Sequence, residues 1–318
     1  MNQPHTSNAE MLCPVHGTHA RPALGKILVV VDPTASVHPC VTKAARIALA
    51  CGSALELYIC DAEEDLAETR ETRREEFLVM LEALAAPLRS RGLEVAVKCE
   101  WAVPLEQGIG CHVIRTKPDL VVKDTRHHAS LHGVVALTDW TLIRQIAAPL
   151  LLVQPSAWNE RLRITVSADP CRPAERPAAL DDSMIALAGV LEAALAANVD
   201  VLHVLRPPPH LPGVAVAVDD MRRAHTSARA AVERLIEERS DQDGPLLIHF
   251  IEGRVAPTIV NFVDRNRPDI LMMGVAARPR FLHTAATGTA AQVLENLKCD
   301  VLVMKPPGFV SPLLVTDE

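Results

Sequence analysis

Apolar positions along the chain recur with two alternating periods. The run Ile27 to Val31 ("ILVVV") is continuous and β-branched, as a strand buried on both faces requires. After it, Ala44, Ile47, Ala48 and Cys51 stand at i, i+3, i+4 and i+7, the face of a helix that Gly52 stops. "ALELYIC" predicts a second strand. A second helix, apolar at Phe77, Leu81, Leu84 and Leu88 and ended by Gly92, follows a charged, solvated start between Asp61 and Glu76. "LEVAVKCEW", a helix from about Pro104 to Arg115, "DLVVK", a helix near Thr141 to Ala147 and "PLLLVQ" bring the count to five strands and four helices.

The same order then returns. "KILVVVDP" (Lys26 to Pro33) aligns without a gap on "RITVSADP" (Arg163 to Pro170), and "KPDLVVKD" (Lys117 to Asp124) on "RPDILMMG" (Arg267 to Gly274). "TDWTLIRQIAAPLLLVQP" (Thr138 to Pro155) aligns on "TAAQVLENLKCDVLVMKP" (Thr289 to Pro306). The chain is a tandem duplication, and "VDVLHVL", "PLLIHFIEG", "DILMMG" and "DVLVM" are the later strands of the second copy. Strand–helix alternation with short turns predicts parallel, doubly wound sheets that bind ligands beyond the carboxyl ends of their strands.

These boundaries give a flexible tail over 1–23, one domain over 24–156, a second over 157–307 and a C-terminal tail over 308–318. The matching final strands, "PLLLVQ" and "DVLVM", predict that the two units pack as an intramolecular pseudo-dimer, and a homodimer stays open. The N-terminal tail has no periodic apolar face, so it is expected to be dispensable for the fold.

Composition narrows the function. A net charge of −7 gives no electrostatic grip on nucleic acid, and 3% aromatic residues leave few stacking platforms for bases or sugars. No apolar run reaches the ~20 residues of a membrane span, and the N-terminus lacks the pattern of a signal peptide. The eight cysteines are scattered without a CxxC pair and read as reduced thiols. The expected compartment is the cytoplasm.

The strand-terminal Asp, "LHV" and "PDILMMG…TGTAAQVL…CDVLVMKP" together resemble the universal stress protein family. The tandem layout, "VVVDP" and "TDW" resemble its two-domain E-type members. The resemblance implies two flavodoxin-like (adenine nucleotide alpha hydrolase-like) five-stranded α/β domains. It also implies a phosphate loop of the form G-x2-G-x9-G-[ST], an Asp after strand one and backbone beside "HV" of strand two. Carried onto unit two, that nucleotide site comprises Asp169, Val204, Gly274, Ala277, Gly288 and Thr289. Ala277 stands where the family has its second glycine, and the third glycine is displaced by one position to Gly288. Arg278, Arg280 and His283 add positive charge to that loop. In unit one Asp32 remains, but Asp124 replaces the first glycine, so a bound phosphate would meet a carboxylate.

Other chemistry is sparser. His127, His128 and His132 cluster in the unit one loop, and Cys13, His16 and His19 in the tail offer imidazole and thiolate ligands. Neither set has a completed ligand spacing, and no metal is expected. Cys40 lies at the start of the first helix, where the dipole can lower a thiol pKa; the reading is a quiet helix-cap thiol, with redox sensing as the alternative. Cys51, Cys60 and Cys111 read as small core residues, and Trp140 as a filler of the space above the sheet. The reading is a non-enzymatic stress-response protein that binds a small ligand or a protein partner. ATP in unit two, with at most slow hydrolysis, is one alternative; an apolar ligand carried in unit one is the other.

Overall fold

The structure is a computed structural model that describes residues 24–62, 67–125, 137–171, 178–206, 218–237, 246–275 and 289–314. Unit one comprises β1 (Lys26–Val30), α1 (Pro39–Cys51), β2 (Ala54–Asp61), α2 (Ala67–Arg89), β3 (Val95–Trp101), α3 (Leu105–Thr116), β4 (Leu120–Asp124), α4 (Leu137–Gln145) and β5 (Leu150–Val153). Unit two repeats it with β6 (Arg163–Ser167), α5 (Ala178–Leu195), β7 (Asn198–Leu205), α6 (Val218–Glu237), β8 (Leu247–Glu252), α7 (Val255–Asn266), β9 (Ile270–Gly274), α8 (Thr289–Leu294) and β10 (Asp300–Met304). The fourth helix starts earlier than its apolar pattern suggested. Asp139 belongs in its first turn, where a carboxylate suits the helix dipole.

Among the described residues the ten strands form one sheet in the order β3-β2-β1-β4-β5-β10-β9-β6-β7-β8. Within each unit every pairing is parallel, and strand order reverses between the first and fourth strands. β5 and β10 pair antiparallel, with Leu151 opposite Leu302, so the units join through their last strands. That junction hides two fully buried strand edges that would otherwise template aggregation.

Residue parity assigns the core. Ile27, Val29 and Val31 face the layer under α1, α2, α5 and α6, whereas Leu28 and Val30 face the layer under α3, α4, α7 and α8. Each layer is continuous across both units, and α1 packs on α5.

The repeated Pro-Asp motif has a structural reason. Lys117 (φ 47°) and Arg267 (φ 48°) are left-handed caps whose N–H groups close α3 and α7 on Val113 and Val263. The proline prevents the helix from continuing, and the aspartate ties the neighbouring strand. Asp119 accepts from the N–H groups of Gly25 and Lys26 at 2.9 Å, and Asp269 from those of Arg163 at 2.8 Å and Asn159 at 2.9 Å.

The linker between units is tied down. Trp158 Nε1 donates to Asp300 at 2.7 Å, and Arg46 donates to the carbonyls of Asn159 and Glu160 at 3.0 and 2.7 Å. The expected C-terminal tail is also partly docked. Pro312–Leu314 form a 3-10 turn against α3, where a Cβ on Gly110 would collide with Leu313. Ser311 there is only 2% exposed. The apolar "PLL" finds a matching gap on unit one, which residue composition alone did not reveal.

Candidate functional site

The carboxyl ends of the strands at each reversal point are where ligands of such sheets bind. In unit two this edge gathers part of the expected nucleotide site. Asp169 lies just past β6; its carboxylate accepts from Arg206 at 3.2 Å, and its N–H donates to Asp181 Oδ1 at 3.3 Å. Val204 lies in β7 with its side chain in the core, so only its backbone can meet a ligand. Gly274 ends β9 opposite Met304 and presents no side chain to the edge. Thr289 opens α8. Ala277 and Gly288 lie outside the described residues, as do Arg278, Arg280 and His283.

Beside Asp169 is a cluster that sequence reasoning missed. Asp169, Cys171 and His203 offer one ligand atom each, all within 4.8 Å of one another. His203 is 3% exposed, its Nδ1 is 3.0 Å from the carbonyl of Ala168, and its Nε2 is 4.0 Å from Cys171 Sγ. The signal was present in "ADPC" and "LHV", but 32 residues separate the thiol from the imidazole. The two expected metal candidates, His127 with His128 and His132, and Cys13 with His16 and His19, fall outside the described residues.

The same edge in unit one is built differently. Asp124 ends β4 at the position of Gly274, and its Oδ1 accepts from the N–H of Cys40 at 2.8 Å. An internal carboxylate therefore satisfies the positive end of α1. Burial pushes the Asp124 carboxyl up, opposed by its hydrogen bonds from Cys40. Next to it, Lys123 Nζ donates to Asp139 Oδ1 of α4 at 2.7 Å and to the Asp124 carbonyl at 2.9 Å. Lys123 and Asp139 are 7% and 0% exposed. Their counterparts in unit two are Met273 and Ala290, which are apolar. Unit one thus joins β4 to α4 by a buried ion pair where unit two uses packing.

This arrangement speaks against the redox alternative for Cys40. The helix dipole is already answered by Asp124, and the thiol itself is fully buried. Burial first, and the Asp124 charge second, push it well above the ordinary thiol range. Cys111 is likewise not a core residue but exposed, and Trp140 packs half-buried on the α3 and α4 side of the sheet. Cys111 lines a cleft of about 670 Å³ at the end of β3, together with Arg74, Glu100 and Arg115. A second cleft of about 440 Å³ lies near Trp158, Asp269 and Lys298, at the opposite ends of the strands from Asp169 and Gly274.

Comparison with known proteins bears on unit two most directly. Residues 178–305, nearly all of unit two, match the universal stress protein family. That stretch of unit two carries the family's domain. Universal stress protein E of Escherichia coli (strain K12) is 22% identical over 314 residues, covering 92% of this chain and 97% of its own length. Universal stress protein E of Photorhabdus laumondii is 21% identical over 309 residues, covering 92% and 98%. A functionally unknown protein from Pseudomonas aeruginosa PAO1 has the same fold, with a TM-score of 0.72 and 23% identity over 90% of this chain and 94% of its own. Each of the two universal stress protein E relatives is matched over nearly its full length, so both units of this chain have a counterpart in them. Among the described residues no helix is long and apolar enough to cross a membrane.

Proposed function

We propose that this chain is a universal stress protein of the tandem E type, a non-enzymatic, cytoplasmic stress-response protein that acts by holding a small ligand in unit two alone. Adenine nucleotide is the ligand class that the family resemblance implies, with ATP held by Asp169, the backbone at Val204, Gly274, Ala277, Gly288 and Thr289. The observation that carries the reading is the exchange of Gly274 for Asp124 at the matching strand ends. In unit one a carboxylate sits on the α1 terminus, and at 4 Å from an anionic ligand it would repel by about 1–4 kcal/mol. In unit two that position leaves backbone accessible, as a phosphate requires.

Unit one then serves as the rigid half that covers the β10 edge. The cleft at the end of β3 mixes charged Arg74, Glu100 and Arg115 with apolar Trp101, Ala102 and Val103, and the apolar-ligand alternative concerns the separate space left by the unit one loop. Native mass spectrometry of the protein as purified tests the reading. The expected result is a single adenine-containing adduct per chain, retained when unit one is altered at Asp124. A lipid adduct, or adducts lost on changing Asp124, would count against it.

A further inference from the structure

We infer that Asp169, Cys171 and His203 form a binding site for a zinc-class divalent metal ion at the ligand edge of unit two. Three donors of different kinds, a carboxylate, a thiolate and an imidazole, converge within 4.8 Å. Borderline-soft Zn2+ accepts this mixed set, whereas Ca2+ and Mg2+ demand oxygen ligands. Tetrahedral zinc with Zn–S of about 2.3 Å and Zn–N of about 2.0–2.1 Å holds its S and N atoms roughly 3.5 Å apart. The 4.0 Å between Cys171 Sγ and His203 Nε2 needs a contraction that an exposed cysteine can supply.

The surroundings of the imidazole support the same conclusion. His203 Nδ1 lies 3.0 Å from the Ala168 carbonyl, and a carbonyl can only accept, so Nδ1 carries the proton. Nε2 is then left with its lone pair facing Cys171. This is the orientation a metal-ligating histidine takes when a backbone carbonyl fixes its tautomer. Asp169 Oδ2 accepts from Arg206 at 3.2 Å, and the carboxylate keeps an oxygen within 4.8 Å of the Cys171 and His203 donor atoms. On binding, Cys171 releases its S–H proton to solvent, so the metal takes one anionic sulfur, one anionic oxygen and one neutral nitrogen. Three protein ligands leave one tetrahedral position for water or an added ligand.

The test uses the full chain, reduced and washed with chelator. Co2+ titration should raise a thiolate-to-cobalt charge-transfer band that Zn2+ then removes. In Cys171→Ser, an exposed change that leaves the core untouched, that band should vanish and Zn2+ affinity at this site should fall at least about tenfold. Cys13→Ser should retain the band, which separates the site from the thiol and imidazoles of the N-terminal tail. His203→Gln should weaken binding in the same direction as Cys171→Ser. Absence of the band in the parent protein, or its survival in Cys171→Ser, would overturn the assignment.

Discussion

Lys43 of α1 and Asp300 at the start of β10 form an ion pair at 2.8 Å, one charge from each unit, with both side chains almost wholly buried. Asp300 also accepts from the N–H of Gln154 at 2.8 Å and from Trp158 Nε1 at 2.7 Å, while Lys43 donates to the Gln154 carbonyl at 2.9 Å. The pair is thus fully hydrogen-bonded, and it fastens the linker and both units at one point. In unit one Pro149 occupies the place of Asp300, so the fastening belongs to the second copy alone.

Asp300→Ala leaves the Lys43 ammonium buried without its carboxylate. The expected loss is about 3–5 kcal/mol of unfolding free energy. Lys43→Met combined with Asp300→Leu should cost less than the single change, because no uncompensated charge remains. Urea denaturation of the three proteins checks this; equal losses in single and double variants would show that the charges do not act as a pair.

Cys40 should be inert in the native protein. It is fully buried and its thiol is pushed up, whereas Cys111 and Cys171 are exposed. A short iodoacetamide pulse followed by peptide mapping should label Cys111 and Cys171 first and Cys40 only after unfolding. Early labelling of Cys40 would restore the redox reading of the α1 terminus.

Glu56 of β2 links stability to acid. It is hydrogen-bonded to His112 at 2.7 Å and paired with Lys26 at 2.5 Å, and its carboxyl is lowered to about 2, chiefly by His112. A depressed carboxyl stabilises fully above its unfolded value, near 4.5, and that contribution disappears as pH falls through about 2. Allowing for solvent screening, the contribution is on the order of 2 kcal/mol. Glu56→Gln should therefore lower stability at neutral pH and flatten its decline between pH 4.5 and 2. An unchanged acid slope in the variant would remove Glu56 from this role.

The fold was legible in the sequence because its signals are local and repeated. Five apolar-rich runs per copy and the aligned "KPD" and "RPD" motifs define the strands and their closing caps within a few residues. Of the candidate site, only the placement of Asp169, Val204 and Gly274 at one edge of the sheet was legible, because each lies in or just past its own strand. Pairings across the chain left no such trace. Lys123 meets Asp139 across 16 residues, Cys171 meets His203 across 32, and Lys43 meets Asp300 across 257. The partner of the Cys40 N–H was illegible for the same reason, since the Asp124 that answers its helix lies 84 residues away.

The central claim is that one unit binds the ligand and that Gly274 against Asp124 decides which. Calorimetric titration of the parent chain and of Gly274→Asp with ATP tests it most directly. The account predicts one site per chain in the parent and no measurable binding in Gly274→Asp, with the folded content of the variant preserved. Two equivalent sites in the parent, or undiminished affinity in Gly274→Asp, would contradict it.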